Sequence, residues 1–177
     1  MQNQIIMTLI GTDQVGIVDT VTKSVLEYHG NIEESKMARL SGEFVMLLLI
    51  SVPARNIDDM KTSLSELNKK GFHVFLKQTK AERTIKYDGC LPYKITVSGA
   101  DHEGIINSIT HCLAEKNINI ELLDTNTSAA PMSGTQLFTM IAIVIVPPQL
   151  SYHSWSEHLT KIADSMNVNI DISPYTG

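Results

Sequence analysis

The sequence predicts an α+β protein in which one β-α-β-β-α-β unit occurs twice. Three observations support this prediction. Two short motifs recur at a constant separation, and the spacing of apolar residues alternates between the period of a strand and that of a helix. In addition, an insertion of small residues in the second copy accounts for the one change in the distance between matching residues. A chain of 177 residues is long enough for two small domains of this kind.

Two motifs make the repeat evident. Gly-x-Asp-x-x-Gly-Ile occurs at residues 11–17 and again at 99–105, and Asn-Ile-Glu occurs at 31–33 and 119–121, so both pairs are 88 residues apart. The apolar strands that follow match at a separation of 94 residues. Six additional residues therefore lie in the second copy, in the stretch 128–134, whose small residues, proline and glycine are typical of a loop.

The first strand and first helix of each copy follow from the apolar spacing. Strands are predicted at 5–9 and 94–97, and each precedes a helix with apolar residues three or four apart. These helices should end at Gly30 and Asn117, which tolerate a left-handed backbone. The helical positions predicted to face the core are Ile17, Val21, Val25, Ile105, Ile109 and Leu113.

A second helix is predicted in each copy. One should begin at Asn56 and end at Gly71; the other should begin at Ser154, where Ser154-x-x-Glu157 fits a capping box, and end at Asn167. Their predicted core positions are Ile57, Met60, Leu64 and Leu67 in one copy and Trp155, Leu159, Ile162 and Met166 in the other.

The remaining strands complete the architecture. Two middle strands are predicted at 31–40 and 44–52, and closing strands at 72–78 and 168–172. This order is that of a ferredoxin-like antiparallel sheet with both helices on one face.

These elements divide the chain into three segments. We predict one domain over residues 1–79, a linker over 80–91 and a second domain over 92–177. The linker is rich in charged residues and contains Asp88-Gly89, which is typical of a turn.

The third strand of each copy, around residues 44–50 and 140–146, is apolar on both faces, which is typical of strands buried on two sides. Either the outer face is exposed and apolar, or it packs against the other half or another subunit. In the second case a charge at Leu48 should disrupt association.

Charge is distributed unevenly. Residues 1–88 carry eleven Lys or Arg and eleven Asp or Glu, whereas residues 89–177 carry three Lys, no Arg and eight acidic residues. Nucleic-acid binding needs clustered basic residues to neutralise phosphates, and the basic residues of the first half are interleaved with acids. We therefore expect no direct contact with nucleic acid.

Other classes of protein are also disfavoured. No apolar run is long enough to cross a bilayer, and the first residues lack the regions of an export signal, so we expect a cytoplasmic protein without membrane association. Cys90 and Cys112 lack the spacing of a zinc site or a redox pair, and His153 and His158 are poorly spaced for metal ligands. Phosphate-binding and hydrolase motifs are absent from the sequence. We expect no enzyme, no catalytic residue, no metal and no cofactor.

The candidate site is the turn from the first strand to the first helix in each copy. Gly16 and Gly104 lie at the entrance of a helix, where free backbone N–H groups and the helix dipole can hold a carboxylate. Alternatively, Asp13 and Asp101 are N-caps and the glycines only ease the turn. Asn31, with its counterpart 88 residues on, is a repeated polar residue that suits either ligand recognition or a turn.

These motifs, together with the βαββαβ order, resemble the ACT domain, a module associated with amino-acid sensing. The tandem pair, with Gly-Thr-Asp-Gln-Val-Gly-Ile-Val followed by Gly-Asn-Ile-Glu-Glu-Ser, is similar to the glycine cleavage system transcriptional repressor family. The resemblance covers residues 5–174. It implies paired ACT units that hold small ligands near the first turn, at the interface between units.

The resemblance carries ligand-binding roles onto matching residues: Asp13, Gln14, Val15, Gly16, Ile17 and Asn31 in the first copy, and Asp101, His102, Gly104, Ile105 and Asn119 in the second. Related modules often have proline before the turn glycine, where this chain has Val15 and Glu103. The carboxylate of Glu103 would repel the carboxylate of an amino acid, so we expect the first site to be the functional one.

Two functions remain open from the sequence. The first is a non-enzymatic, homo-oligomeric regulator that binds a small amino acid, such as glycine, and controls transcription through a protein partner such as a DNA-binding activator. The second is an assembly module whose ACT units mediate oligomerisation without sensing a ligand.

Overall fold

A computed structural model describes residues 2–79, 87, 89–131 and 133–176 of the chain, without the side chain of Gln2. The chain forms two units, Met1–Arg83 and Thr84–Gly177. Most of the predicted linker, residues 80–86 and 88, lies outside the described residues.

Unit 1 contains four strands and two helices in the predicted order. The elements are β1 (Gln2–Thr12), α1 (Ile17–Glu27), β2 (Asn31–Leu40), β3 (Glu43–Pro53), a 3₁₀ turn (Ala54–Asn56), α2 (Ile57–Ser65), a second 3₁₀ turn (Glu66–Lys70) and β4 (His73–Thr79). The strand order across the sheet is β2-β3-β1-β4, and all neighbours are antiparallel.

Unit 2 repeats this arrangement. Its elements are β5 (Leu91–Ala100), α3 (Ile105–Glu115), β6 (Asn119–Ala129), β7 (Gln136–Val146), α4 (Tyr152–Ser165) and β8 (Val168–Pro174). The strand order is β6-β7-β5-β8, again antiparallel throughout. The predicted fold class, two ferredoxin-like βαββαβ domains in tandem, is confirmed.

Each unit has its own hydrophobic core between the sheet and its two helices. In β1 the inward residues Ile5, Met7 and Leu9 are fully buried, and the intervening residues face the other side of the sheet, as the two-residue period of a strand requires. The predicted helical core positions are buried, except that Ile162 and Met166 are partly buried and Ala163 is buried between them.

The end of α1 differs from the prediction by one residue. His29, not Gly30, adopts the left-handed conformation, with φ of 55°, and its counterpart Asn117 does the same with an identical φ. Gly30 has a different role: a Cβ there would lie 2.9 Å from Val25 Cγ1 and 3.0 Å from its carbonyl oxygen. The glycine is therefore required by close packing.

The predicted capping box of α4 is wrong. The helix begins at Tyr152 and its N-cap is Ser151, so Ser154 lies inside the first turn. At α2 the predicted start is correct to within one residue, but the Asn56 side chain caps nothing; its Nδ2 donates to the carbonyl oxygen of Tyr28 at 2.8 Å instead. This bond ties the start of α2 to the end of α1.

Leu48 lies on the inner face of β3, so the prediction that a charge there would disrupt association is wrong. Leu48 is 1% exposed and belongs to the core, whereas Leu47 is 41% exposed on the outer face of the sheet. Because side chains alternate along a strand, a one-residue difference moves the test to the opposite face. A charge at Leu48 would disrupt folding of unit 1, so Leu47 is the appropriate position.

Candidate functional site

The repeated turns begin in the same way in both units. The backbone N–H of Asp13 donates to the carbonyl oxygen of Gly42 at 3.0 Å, and that of Asp101 donates to the carbonyl oxygen of Gln136 at 2.8 Å. Each turn is thereby joined to the chain that enters the third strand of its unit. The turn then ends at a left-handed glycine, Gly16 with φ of 92° or Gly104 with φ of 93°.

The N-cap alternative for the aspartates is wrong. The N-caps are the glycines themselves, and no side chain of the described residues caps either helix. The first helical bond of α1 runs from Thr20 N–H to the Gly16 carbonyl oxygen at 2.9 Å. Within the described chain the N–H groups of Val18 and Asp19 have no acceptor, so the start of α1 can receive an anion.

Four predicted ligand residues of unit 1, residues 14–17, lie in this turn and differ in the groups they expose. Val15 is fully exposed, and the Gln14 carbonyl oxygen accepts a long bond of 3.5 Å from Ile17 N–H. The side chain of Ile17 is buried in the core, so only its backbone faces the turn. A Cβ at Gly16 would meet nothing within 4 Å; the glycine is required by its positive φ.

Arg39 lies beside this turn, which the sequence did not indicate. Its Nη1 lies 3.5 Å from Oδ2 of Asp13, and both side chains retain contact with solvent. The two residues meet because Arg39 pairs with Phe44 across β2 and β3, while Phe44 pairs with Gly11 at the end of β1. Only the strand register brings them together.

In unit 2 the corresponding turn is held differently. His102 Nε2 lies 2.8 Å from the carbonyl oxygen of Met166 and Nδ1 lies 3.1 Å from that of Glu103. The Met166 carbonyl, followed by the Glu103 carbonyl, raises the pKa of His102, and the charge of Asp101 adds to this effect. The imidazole therefore anchors the turn to the end of α4.

A cavity of about 480 Å³ lies beside this second turn. It brings together four of the predicted residues and adds others from α3 and β7; its lining is Asp101, His102, Glu103, Gly104, Ile105, Ile106, Asn107, Thr110 and Phe138. The position that corresponds to Arg39 is Thr127, so the second turn lacks the guanidinium of the first. The carboxylates of Asp101 and Glu103 in this lining favour a cationic group over a carboxylate.

The two repeated asparagines lie far from the turns of their own units. Asn31 pairs with Ser51, whereas Leu40, at the other end of β2, pairs with Glu43 near Asp13. Eight residues of β3 separate the two levels, which amounts to roughly 25 Å along the strand. Asn119 has the same relation to Asp101, because it pairs with Ile145 at the opposite end of β7.

The Asn-Ile-Glu motif marks a β-bulge in both copies. The register shifts between Ile32 and Glu34 and again between Ile120 and Leu122, which leaves the glutamate of each motif at the bulge. The recurring sequence therefore has a structural reason.

The two bulges differ in their polar contacts. Glu33 Oε1 accepts a 2.5 Å bond from the buried Ser51 hydroxyl and a 3.3 Å bond from Asn31 Nδ2. The Ser51 bond, followed by the Asn31 bond, lowers the pKa of Glu33. In unit 2 the position of Ser51 is Ile145, and Asn119 Nδ2 donates to its neighbour's carbonyl oxygen at 3.3 Å.

Among the described residues, no helix combines the length and the apolarity that a bilayer crossing requires. Nor do three or more His, Cys, Asp or Glu side chains of this part of the chain come close enough together to hold a metal ion.

Comparison with known proteins defines the class. Residues 3–76, nearly all of unit 1, match the ACT domain family model, and unit 2 has the same topology and repeats the turn motif. Unit 1 is therefore an ACT domain, and unit 2 has the same fold and the same turn motif.

Within that class the chain resembles the glycine cleavage system transcriptional repressors. It is 27% identical to the repressor of Escherichia coli strain K12 over 133 residues, which cover 73% of this chain and 67% of the repressor. It is also 32% identical over 66 residues to UPF0237 protein YjhC of Lactococcus lactis, covering 37% of this chain and 72% of that protein.

Two solved structures resemble the whole chain. A crystal structure of an unknown protein from Galdieria sulphuraria has a TM-score of 0.86 and 29% identity, covering 99% of this chain and all of that one. A protein assigned provisionally to the glycine cleavage repressors has a TM-score of 0.70 and 21% identity, with coverage of 100% and 99%, and supports the fold alone.

Proposed function

We propose that this protein is a non-enzymatic, amino-acid-responsive regulator that controls expression of the glycine cleavage system through a protein partner. The ligand is a small amino acid such as glycine, bound at the Asp13–Ile17 turn of unit 1. The protein acts in the cytoplasm as a homo-oligomer. The similarity to the repressor of Escherichia coli supports the regulatory role.

The observation that carries the ligand proposal is the Arg39 and Asp13 pair beside the free end of α1. A free amino acid has an ammonium and a carboxylate separated by one carbon, so it needs one anionic and one cationic partner close together. Asp13 supplies the first, and Arg39 with the N–H groups of Val18 and Asp19 supplies the second. At 3.5 Å the contact between Arg39 and Asp13 is long, so each side chain can give it up for a contact with the ligand.

Calorimetry of the full chain against the twenty amino acids tests this site. We expect glycine or a similarly small amino acid to bind, and Arg39→Gln or Asp13→Asn to weaken binding by about tenfold or more. The matched control is Asp101→Asn, which alters the corresponding turn of unit 2 and should leave affinity unchanged. The ligand proposal is wrong if nothing binds, or if the unit 1 variants bind as tightly as the control.

The charge distribution of the chain supports control of transcription through a protein partner. Residues 89–177 contain no arginine and eight acidic residues, which disfavours direct attachment to DNA. Proteins captured from native lysate should differ with and without glycine, and Arg39→Gln should abolish that difference. Tight, sequence-specific DNA binding by the purified chain would contradict this route.

An assembly module is the second candidate, and one observation favours it. On the outer face of the unit 1 sheet, Ile10, Leu47 and Phe75 are 46%, 41% and 62% exposed. An apolar face of this kind is typical of an interaction surface. If assembly is the function, substitutions on this face will alter oligomeric state while amino-acid titrations stay blank.

A further inference from the structure

The outer face of each sheet, on the side away from the helices, carries a row of neighbouring side chains at the middle of its strands. In unit 1, strand pairing places these side chains in line across the sheet: Lys36, Leu47, Thr8 and Phe75. In unit 2, the equivalent pairing places these in line: Asp124, Ile141, Thr96 and Asp171. We call them the unit 1 row and the unit 2 row.

Both rows contain exposed apolar side chains. Leu47 and Phe75 are 41% and 62% exposed. In unit 2, Ile141 is 38% exposed, whereas its neighbours in β7, Met140 and Ala142, are fully buried on the inner face. Removing side chains of this size from water is favourable, so each face is suited to contact with another apolar surface.

A groove beside the unit 1 row can receive an apolar side chain. It has a volume of about 180 Å³, and its lining includes Ile6, Leu47 and Leu49. Lys36, at the end of the row, also lines it. A branched aliphatic side chain such as Ile141 matches the apolar part of this lining.

The ends of the two rows differ in charge. The unit 2 row has a carboxylate at each end, Asp124 and Asp171, whereas the unit 1 row has Lys36 at one end and Phe75 at the other. Sheets that pack face to face keep their strands nearly aligned, so the ends of one row lie over the ends of the other. Two unit 2 rows would therefore place carboxylate over carboxylate in either orientation, which is unfavourable.

The unit 1 row has the charge that the unit 2 row requires. In either orientation Lys36 lies over Asp124 or Asp171, and its ammonium can pair with that carboxylate. The other carboxylate then lies over Phe75, two residues from Lys77 on the same face of β4. The two faces are therefore complementary in charge as well as apolar at their centres.

We propose that the outer face of unit 1 in one copy of the chain packs on the outer face of unit 2 in a second copy, with the two rows in contact. The inference rests on the homo-oligomer of the proposed function and names its contact surfaces. Because each copy carries one face of each kind, two copies related by a twofold axis bury both pairs of faces and form a closed dimer.

Mixing two variants of the full chain tests this pairing by sedimentation velocity. Leu47→Glu places a carboxylate opposite the aspartates of the unit 2 row, and Ile141→Lys places an ammonium opposite Lys36. Each variant alone should dimerise at least about tenfold more weakly than the parent. An equimolar mixture should dimerise more tightly than either variant, because the mixed pair retains one contact between two parental faces and has opposite charges at the other.

The matched control is Leu26→Glu, which alters an exposed leucine of α1 and should leave dimerisation unchanged. Charge reversals at the ends of the rows give a second test, which remains available if circular dichroism shows that a variant in the apolar centre is unfolded. Lys36→Glu should weaken dimerisation, and adding Asp124→Lys or Asp171→Lys to the same chain should restore it.

The inference is overturned if the parent is a monomer at every concentration or if only one of the two apolar variants is impaired. It is also overturned if the mixture associates no more tightly than its components, or if neither second charge reversal restores dimerisation. With an oligomeric parent, these results exclude this contact and leave the proposed homo-oligomer in place. Amino-acid titrations involve neither row, so failure of the ligand proposal is detected separately.

Discussion

The imidazole of His102 links the start of α3 to the end of α4, with its Nε2 2.8 Å from the carbonyl oxygen of Met166. Its other nitrogen faces the carbonyl oxygen of Glu103 at 3.1 Å. Carbonyl oxygens only accept hydrogen bonds, and a neutral imidazole has a single N–H to donate. Both contacts are therefore satisfied together only when His102 is protonated, which is why its pKa is raised.

We expect the contribution of His102 to stability to depend on pH. Because the folded-state pKa is raised above the reference value of 6.5, the contribution is complete below that value and is lost as pH rises through the folded-state pKa. His102→Gln, which introduces the residue found at position 14 of unit 1, should destabilise unit 2 in acid and have little effect at alkaline pH.

The measurement is urea unfolding followed by the fluorescence of Trp155, the single tryptophan of the chain and a core residue of unit 2. His158→Gln, on the exposed side of α4, is the matched control. An equal loss of stability at all pH values would mean that the two bonds do not depend on protonation.

A second pH effect of opposite sign is expected in unit 1. Glu33 has a lowered pKa because it accepts bonds from Ser51 and Asn31, so its contribution to stability is present above its reference pKa of 4.5 and is lost as pH falls through the folded-state pKa. Ser51→Ala should raise the pKa of Glu33 toward the reference value. A carbon-detected NMR titration of Glu33 measures this directly, with the exposed Ser35→Ala as the control; an unchanged titration would exclude the Ser51 bond as the cause.

Gly16 and Gly30 flank α1, and the costs in stability of their alanine and asparagine substitutions should rank in opposite orders. Gly16 has a positive φ and open space, so Gly16→Ala should cost about 1–2 kcal/mol, and Gly16→Asn should cost less because asparagine tolerates this backbone conformation.

At Gly30 the constraint is space, so Gly30→Ala should cost about 1–3 kcal/mol and Gly30→Asn more. Circular dichroism during chemical denaturation gives all four free energies of unfolding. The same order of Ala and Asn at both positions would contradict the distinction between backbone and packing constraints.

Substitutions at two neighbouring leucines of β3 should affect folding and assembly separately. Leu48→Ala removes core volume and should destabilise unit 1 by about 2–5 kcal/mol, whereas Leu47→Ala should change stability by less than about 1 kcal/mol.

Leu47→Lys then tests the outer face without unfolding the unit, and sedimentation velocity reports the oligomeric state. Dissociation with unchanged glycine binding would support an assembly role for this face. An unchanged oligomeric state would exclude Leu47 from any interface.

Most of the fold was predictable because its signals are local. The apolar spacing and the repeat together predicted the order of strands and helices in both units, and the constant separation of motifs predicted the duplication. The prediction failed for the face of β3 on which Leu48 lies and at element ends, such as His29 for Gly30 and Ser151 for Ser154. There the outcome depends on packing around a single residue, such as the Val25 side chain against Gly30.

The candidate site was predicted less completely because its geometry is not local. Sequence alone determined that the chain is a doubled βαββαβ protein with a glycine turn at the start of each first helix. Only the tertiary structure decided that Arg39 lies beside Asp13 and that Asn31 lies at the other end of the sheet. Both facts depend on strand register and on the bulge at Glu33, and register is set by pairing between residues distant in the chain rather than by any motif within it.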